Sequence, residues 1–205
     1  MTDARALNWR YTVPTQRRRL LFLPVSEERF SNAVVPERSP KGIGGVLSGR
    51  RYATVVAPDV SAWRKVAGGR SSALVGRLAD AVEPGGWLYI GFPNYWYAAR
   101  PMRAGSLSLR SAVAAVLAAG LNEVEPYLAL PDLRCPAFLI GAGRREELDY
   151  FLGQLFFPYS PANTGWGAVA RGLLLPAAAA LVKWAPHRPR VQLAPALALV
   201  ARRPA

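Results

Sequence analysis

The sequence predicts one α/β layer: a mostly parallel sheet with an antiparallel edge, followed by a helical C-terminal appendage. Two observations carry that expectation. Between positions 52 and 141, β-branched or apolar runs alternate with stretches whose apolar residues recur at helical spacing, the pattern of a layered α/β fold. The last two runs, Glu123 to Leu130 and Ala137 to Ile140, have no helical stretch between them, which favours antiparallel pairing. Length and composition agree with this: 205 residues, 51% of them apolar and 19% charged, can fill one core and are not the make-up of a disordered chain.

Taken in order, residues 1–18 read as a polar, arginine-rich leader, and residues 19–205 as a single domain. Arg19 to Val25 is an apolar strand, and a shorter one follows around Ala33, Val34 and Val35. Ser39 to Gly49, with four glycines and a proline, reads as a loop. Tyr52 to Ala57 is a buried strand that breaks at Pro58 and Asp59. Ser71 to Val82 places Leu74, Val75, Leu78 and Val82 on one helical face, capped by Ser71 or Ser72. Glu83-Pro84-Gly85-Gly86 then turns the chain into a strand over Trp87 to Phe92. Ser106 caps the next helix, whose face is Leu109, Val113, Val116 and Leu117, and Gly120 supplies the left-handed residue that ends it.

The core therefore spans residues 19–141, and 142–205 forms the appendage. There, Arg145 to Phe157 is helical, Gly167 to Trp184 is a strongly apolar helix that Pro176 interrupts, and Val191 to Val200 is a last strand.

The net charge of +13 suits an anionic partner, or reflects a drift of composition towards arginine. The arginines fall in short clusters with no basic stripe interleaved with aromatics, so nucleic acid is not expected as a partner. A single cysteine, Cys135, rules out an internal disulfide and a cysteine metal site, and the expected location is cytoplasmic. No metal site is expected. The apolar stretch before Trp184 has Arg171, Lys183, Arg188 and Arg190 around it. It therefore suits either packing within the protein or peripheral contact with the inner face of the membrane.

The candidates for chemistry are few. His187, the only histidine, stands in a basic loop and reads as a surface residue; Cys135 reads as a small buried group. Asp59 and Asn94 both follow the carboxyl ends of expected parallel strands, where open α/β sheets bind ligands. Asn94-Tyr95-Trp96-Tyr97 adds aromatic surface that suits a peptide or a flat substrate, or else simply covers the sheet edge. Asp59, Asn94 and Tyr95 are the expected catalytic residues. Glu27 and Glu28 stand after the first strand, as a cofactor-binding acid would, or are solvated charges.

Three landmarks resemble one family. Tyr52 to Asp59, the turn and strand Val82-Glu83-Pro84-Gly85-Gly86-Trp87-Leu88-Tyr89-Ile90, and Leu117-Ala118-Ala119-Gly120-Leu121-Asn122-Glu123-Val124 come in the order found around the fourth to sixth strands of class I S-adenosylmethionine methyltransferases. The resemblance covers roughly residues 50 to 141 and implies a Rossmann-like sheet. The first half departs from it. Leu20 to Val25 leads into Ser26-Glu27-Glu28-Arg29-Phe30, with no glycine to let a cofactor approach, and about thirty residues between Leu20 and Tyr52 leave at least one βα unit missing or collapsed.

Gly42, Gly44 and Gly45 are the glycines that would meet S-adenosylmethionine if it binds; otherwise no cofactor is expected. In the C-terminal third, Asp149-Tyr150-Phe151-Leu152-Gly153-Gln154-Leu155-Phe156-Phe157-Pro158-Tyr159 and the end Leu193 to Pro204 form an appended element, and this arrangement resembles methyltransferase-like proteins of actinobacterial natural-product clusters, such as the small subunit of the linaridin dehydratase/epimerase. That resemblance implies a subunit of a peptide-tailoring complex acting with a partner protein on a peptide. The alternatives are an autonomous methyltransferase and a structural or membrane-docking module. Separately, the aromatics Phe156, Phe157, Tyr159 and Trp166 and the Leu173–Leu175 run suit an interface around Phe156 to Leu175, or else an ordinary core.

Overall fold

The computed structural model describes residues 9–13, 19–25, 33–95, 105–130, 133, 138–144, 146–147 and 194–205. Within them, seven strands form one sheet: β1 (Leu20–Phe22), β2 (Ala33–Val34), β3 (Tyr52–Ala57), β4 (Val82–Pro93), β5 (Asn122–Leu130), β6 (Phe138–Gly141) and β7 (Ala196–Arg202). Their spatial order is β2-β1-β3-β4-β7-β5-β6. The first four pair in parallel, with Leu21 opposite both Val34 and Val55, and Val55 opposite Leu88. β7 runs antiparallel to both neighbours: Leu197 faces Phe92 on one side and Leu128 on the other. The β5–β6 pair is antiparallel and β6 forms the sheet's edge, as the missing helix between those runs predicts.

Three α-helices accompany the strands among the described residues: α1 (Pro40–Leu47), α2 (Ser71–Asp80) and α3 (Leu109–Ala118). They join β2 to β3, β3 to β4 and β4 to β5, and all three links move the same way across the sheet. Right-handed crossovers then place them on one face. The core agrees, since Ile43, Leu74, Val75, Leu78, Ala112 and Val116 pack in one cluster with Leu21, Val55, Leu88, Ile90 and Leu199. The alternate strand residues Leu20, Phe22, Val56, Tyr89, Ala198 and Val200 point to the other face, as the two-residue period of a strand requires. The link from β1 to β2 steps the opposite way. It has ten residues, 23–32, at the lower limit for a crossover that carries a helix.

Several sequence expectations need correction. Trp9, within the stretch expected as a loose leader, opens a 3-10 turn (Trp9–Tyr11); its side chain and that of Val13 are buried on the second face against Leu20, Phe22 and Tyr89. Ser39 to Gly49 is mostly helix α1 rather than a loop. Ser39 accepts from the backbone N–H of Gly42, Pro40 sits in the first turn and Ile43 packs into the core, and together these offset the glycines' entropy cost. α2 starts after Arg70, whose side chain makes no capping bond, and Ser71 is inside the helix, its hydroxyl donating to Gly105 O. Val82 belongs to β4.

The cap of α3 is Ser108, not Ser106: its Oγ accepts from Ser111 N at 3.1 Å. Ala112 takes the inward place expected of Leu117, which is 53% exposed, because 109, 112, 113 and 116 form the stripe facing the sheet. Gly120 behaves as expected. With φ +82°, it lets Leu121 N–H reach Val116 O and its own N–H reach Leu117 O, a Schellman closure.

The Glu83-Pro84-Gly85-Gly86 turn is a wide bulge at the base of β4. Tyr52 pairs with Val82 and Thr54 already with Trp87, so the extra residues loop out. Gly85, at φ +74°, donates to the carbonyls of Arg203 and Pro204. The last strand is shorter and later than expected, and it lies inside the sheet with residues 196–201 all buried. Most of 145–157, the apolar stretch 167–184 and the interface expected around Phe156 to Leu175 lie outside the described residues, as do Glu27, Glu28, Trp96, Tyr97, Cys135 and His187. No described helix is long and apolar enough to cross a membrane.

Candidate functional site at the carboxyl ends of the parallel strands

β1 hands the chain to β2 on one side and β3 hands it to β4 on the other, so the order of strands reverses between β1 and β3. Open α/β sheets bind ligands in the crevice at the carboxyl ends of such a pair. The residues at this edge are Pro24 and Val25 after β1, Arg38 and α1's first turn after β2, Asp59 to Trp63 after β3, and Asn94 and Tyr95 after β4.

Asp59 is 9% exposed and caps the 3-10 turn Val60–Trp63. Its Oδ1 accepts from Ser61 N at 3.0 Å and from Ser61 Oγ at 2.6 Å. The preceding carbonyl, Pro58 O, lies against Gly91 of β4, where a Cβ would come within 2.1 Å of it. Only a glycine at 91 allows the end of β3 to sit so close to β4.

Asn94, on the neighbouring strand end, is 3% exposed. Its Nδ2 donates to Ala194 O at 2.9 Å and its backbone N–H to Pro195 O at 3.0 Å, so the carboxamide anchors the chain as it enters β7. Tyr95 is half-buried, and its backbone N–H donates to Leu107 O at 3.2 Å. Leu107 N–H in turn donates to Pro93 O. The segment that returns at Gly105 rests on the turn after β3, Gly105 Cα lying beside the Ser61 and Arg64 side chains.

The structure thus brings Asp59, Asn94 and Tyr95 to adjacent strand ends. In the contacts just described, Asp59 and Asn94 hold backbone in place.

The glycines fall differently. Gly42 is in the first turn of α1, with its Cα against Glu37, whose carbonyl oxygen would lie 2.7 Å from a Cβ; Gly44 and Gly45 have nothing within 4 Å of theirs. They lie along a helix rather than in a loop wrapped on a cofactor.

Sequence reasoning missed Trp63. Its side chain is wholly buried, and its indole N–H donates to Pro24 O at 2.9 Å, tying the turn after β3 to the exit of β1. The Arg38 guanidinium stands 5.5 Å over the ring and donates to Val25 O at 3.0 Å. A tryptophan four residues past Asp59 was the only signal, and nothing in its spacing pointed to β1.

Away from this edge, burial raises the pKa of Tyr52 and of the fully buried Tyr89, because their phenolates would be deprived of hydration. Tyr127 is pushed up to about 12, first by desolvation and then by its 2.7 Å bond to Glu125 Oε2. Among the described residues no cluster of three or more metal-ligating side chains occurs. No protein-family model matches this chain, and no curated protein matches it closely enough to count as a relative.

Proposed function

We propose that this chain is a methyltransferase-type subunit of a peptide-tailoring complex, one that works with a partner protein and has lost the cofactor cradle of its fold. The strand order supports the type. β2-β1-β3-β4 follows the doubly wound order with its outermost strand left out, and an antiparallel strand continues the sheet beyond β4.

The observation that carries the loss is the β1-to-β2 link. It is ten residues long and contains no glycine, where the family places a glycine-rich turn and a helix. The engagement of the Pro24 and Val25 carbonyls at that exit by Trp63 and Arg38 supports a reading without bound S-adenosylmethionine. What remains is the edge made by Asp59, Asn94 and Tyr95, which faces a peptide held in a cleft shared with the partner. Dehydration or epimerisation of that peptide is the chemistry proposed for the assembled complex.

Co-expression with the product of the adjacent gene tests the reading. A complex that is stable through gel filtration is expected, weakened by Phe156→Asp with Phe157→Asp and retained in Asp59→Ala with lower activity on the peptide. A well-folded monomer, indifferent to that product and binding S-adenosylmethionine at low micromolar concentration in calorimetry, would restore the autonomous methyltransferase.

A further inference from the structure

We propose that the chain fills its own ligand crevice: Trp63, braced by Arg38, occupies the place between the carboxyl ends of β1 and β3 where a sheet of this order receives a bound ring. The inference rests on the methyltransferase-type reading of the sheet and identifies what took the cofactor's place.

Links following three successive parallel strands meet there. The exit of β1 gives the carbonyls of Pro24 and Val25, the link after β2 gives Arg38, and the turn after β3 gives Trp63. Each is bonded to another of the three. The indole N–H takes the Pro24 carbonyl at 2.9 Å, the guanidinium takes the Val25 carbonyl at 3.0 Å, and the guanidinium covers the indole face at 5.5 Å. These links are the walls of a ligand site in a doubly wound fold. Here a side chain of the protein supplies what a ligand would: a flat bicyclic ring, one N–H donor, and a π face for a cation.

Trp63 packs in the main core cluster with Leu21, Leu23, Ile43 and Val55, and the acceptor that its buried indole N–H requires comes from another strand's exit rather than from its own turn. A ligand entering the crevice would have to expel a ring with no exposed surface and break its bond. The crevice is closed, and partner or substrate must be met further along the edge, towards Asn94. With Trp63 cut back, the space would take a flat bicyclic heteroaromatic carrying one N–H donor.

The test uses the full-length protein. The wild-type chain is expected to show no thermal shift with millimolar indole, adenosine or S-adenosylhomocysteine. Trp63→Gly is expected to melt about 10 °C lower, the range for losing a buried aromatic in a chain of this size. Indole should recover a large part of that fall, and indene, which has the shape without the N–H, clearly less. Trp63→Phe, which keeps a ring and loses the donor, should fold and melt a few degrees below wild type. It also decides the matter if the glycine variant does not fold.

A Trp63→Phe protein as stable as wild type, or a folded Trp63→Gly protein indifferent to indole, would overturn the proposal while leaving complex formation intact. Saturable binding of S-adenosylhomocysteine by wild type, weakened by Trp63→Phe, would overturn both this and the cofactor-free reading. A missing complex together with indole rescue would remove the subunit reading alone.

Discussion

One added methyl group at two glycines should move stability in opposite directions. At Gly91 a Cβ would lie 2.1 Å from Pro58 O, 3.0 Å from the Pro58 carbonyl carbon and 3.1 Å from Leu133 Cδ2. Carbon–oxygen contacts normally begin near ~3.3 Å, so the overlap with the oxygen is roughly 1 Å. The oxygen is backbone and cannot rotate away. β3 and β4 must part next to the Ala57–Ile90 pair, straining the ladder there. Overpacking costs about 1–3 kcal/mol and a ladder bond about 1 kcal/mol, so Gly91→Ala should lose about 3 kcal/mol. For a chain of this length that is a fall in Tm of about 6–12 °C.

Gly76 is the control: it lies inside α2, and an added Cβ meets nothing within 4 Å. Gly76→Ala removes only the glycine's excess entropy and should gain about 0.5–1 kcal/mol. Urea and thermal unfolding followed by circular dichroism measure both. A Gly91→Ala protein within about 0.5 kcal/mol of wild type, well inside the spread of ordinary surface substitutions, would refute the close approach of Pro58 to β4.

Three further outcomes follow from the same geometry. Gly44→Ala and Gly45→Ala, in open space on α1, should each stabilise by about 0.5 kcal/mol or more in urea and leave activity of the complex unchanged; a loss of activity would return these glycines to a binding role. Asn94→Ala leaves the buried Ala194 carbonyl without its donor and should cost about 1–3 kcal/mol, with faster amide exchange at the start of β7, whereas an unchanged unfolding midpoint would show the bond to be dispensable. Because Tyr89 and Tyr127 are raised in the fold, they stay protonated while the unfolded chain ionises. Their contribution is complete below pH ~10 and lost as pH rises above it, to about 12 for Tyr127. The urea midpoint should therefore fall across that window, less steeply in Tyr89→Phe and Tyr127→Phe, and parallel curves for all three proteins would contradict the raised values.

The central strands and α2 were legible because burial on both faces of a parallel sheet writes unbroken apolar runs, and a helix on one face writes a clear stripe. Gly120 was legible because a left-handed residue after an apolar stripe has a single common use. α1 was not, since four glycines outweigh one Ser39-Pro40 start in any composition-based reading, while tertiary packing of Ile43 decides the matter in the fold. Trp9 was hidden for a similar reason: one buried aromatic in a polar stretch leaves no periodicity.

At the candidate site, Asp59 and Asn94 could be placed at strand ends from position alone. Their partners could not, because Ala194 is 100 residues from Asn94. The Trp63–Pro24 bond, spanning 39 residues, is invisible for the same reason.

The interior place of β7 bears on what a shortened chain would do. β4 and β5 touch β7 rather than each other, and the pairs from Trp87–Arg202 to Pro93–Ala196 join positions more than a hundred residues apart. Among the described residues, the β1–β4 half and the β5–β6 hairpin are joined through α3 and through β7, so without residues 196–202 the edges of β4 and β5 lose the strand that pairs them. A chain truncated before Ala196 is therefore expected to keep both edges unpaired and to associate more readily with other chains than the full sequence does.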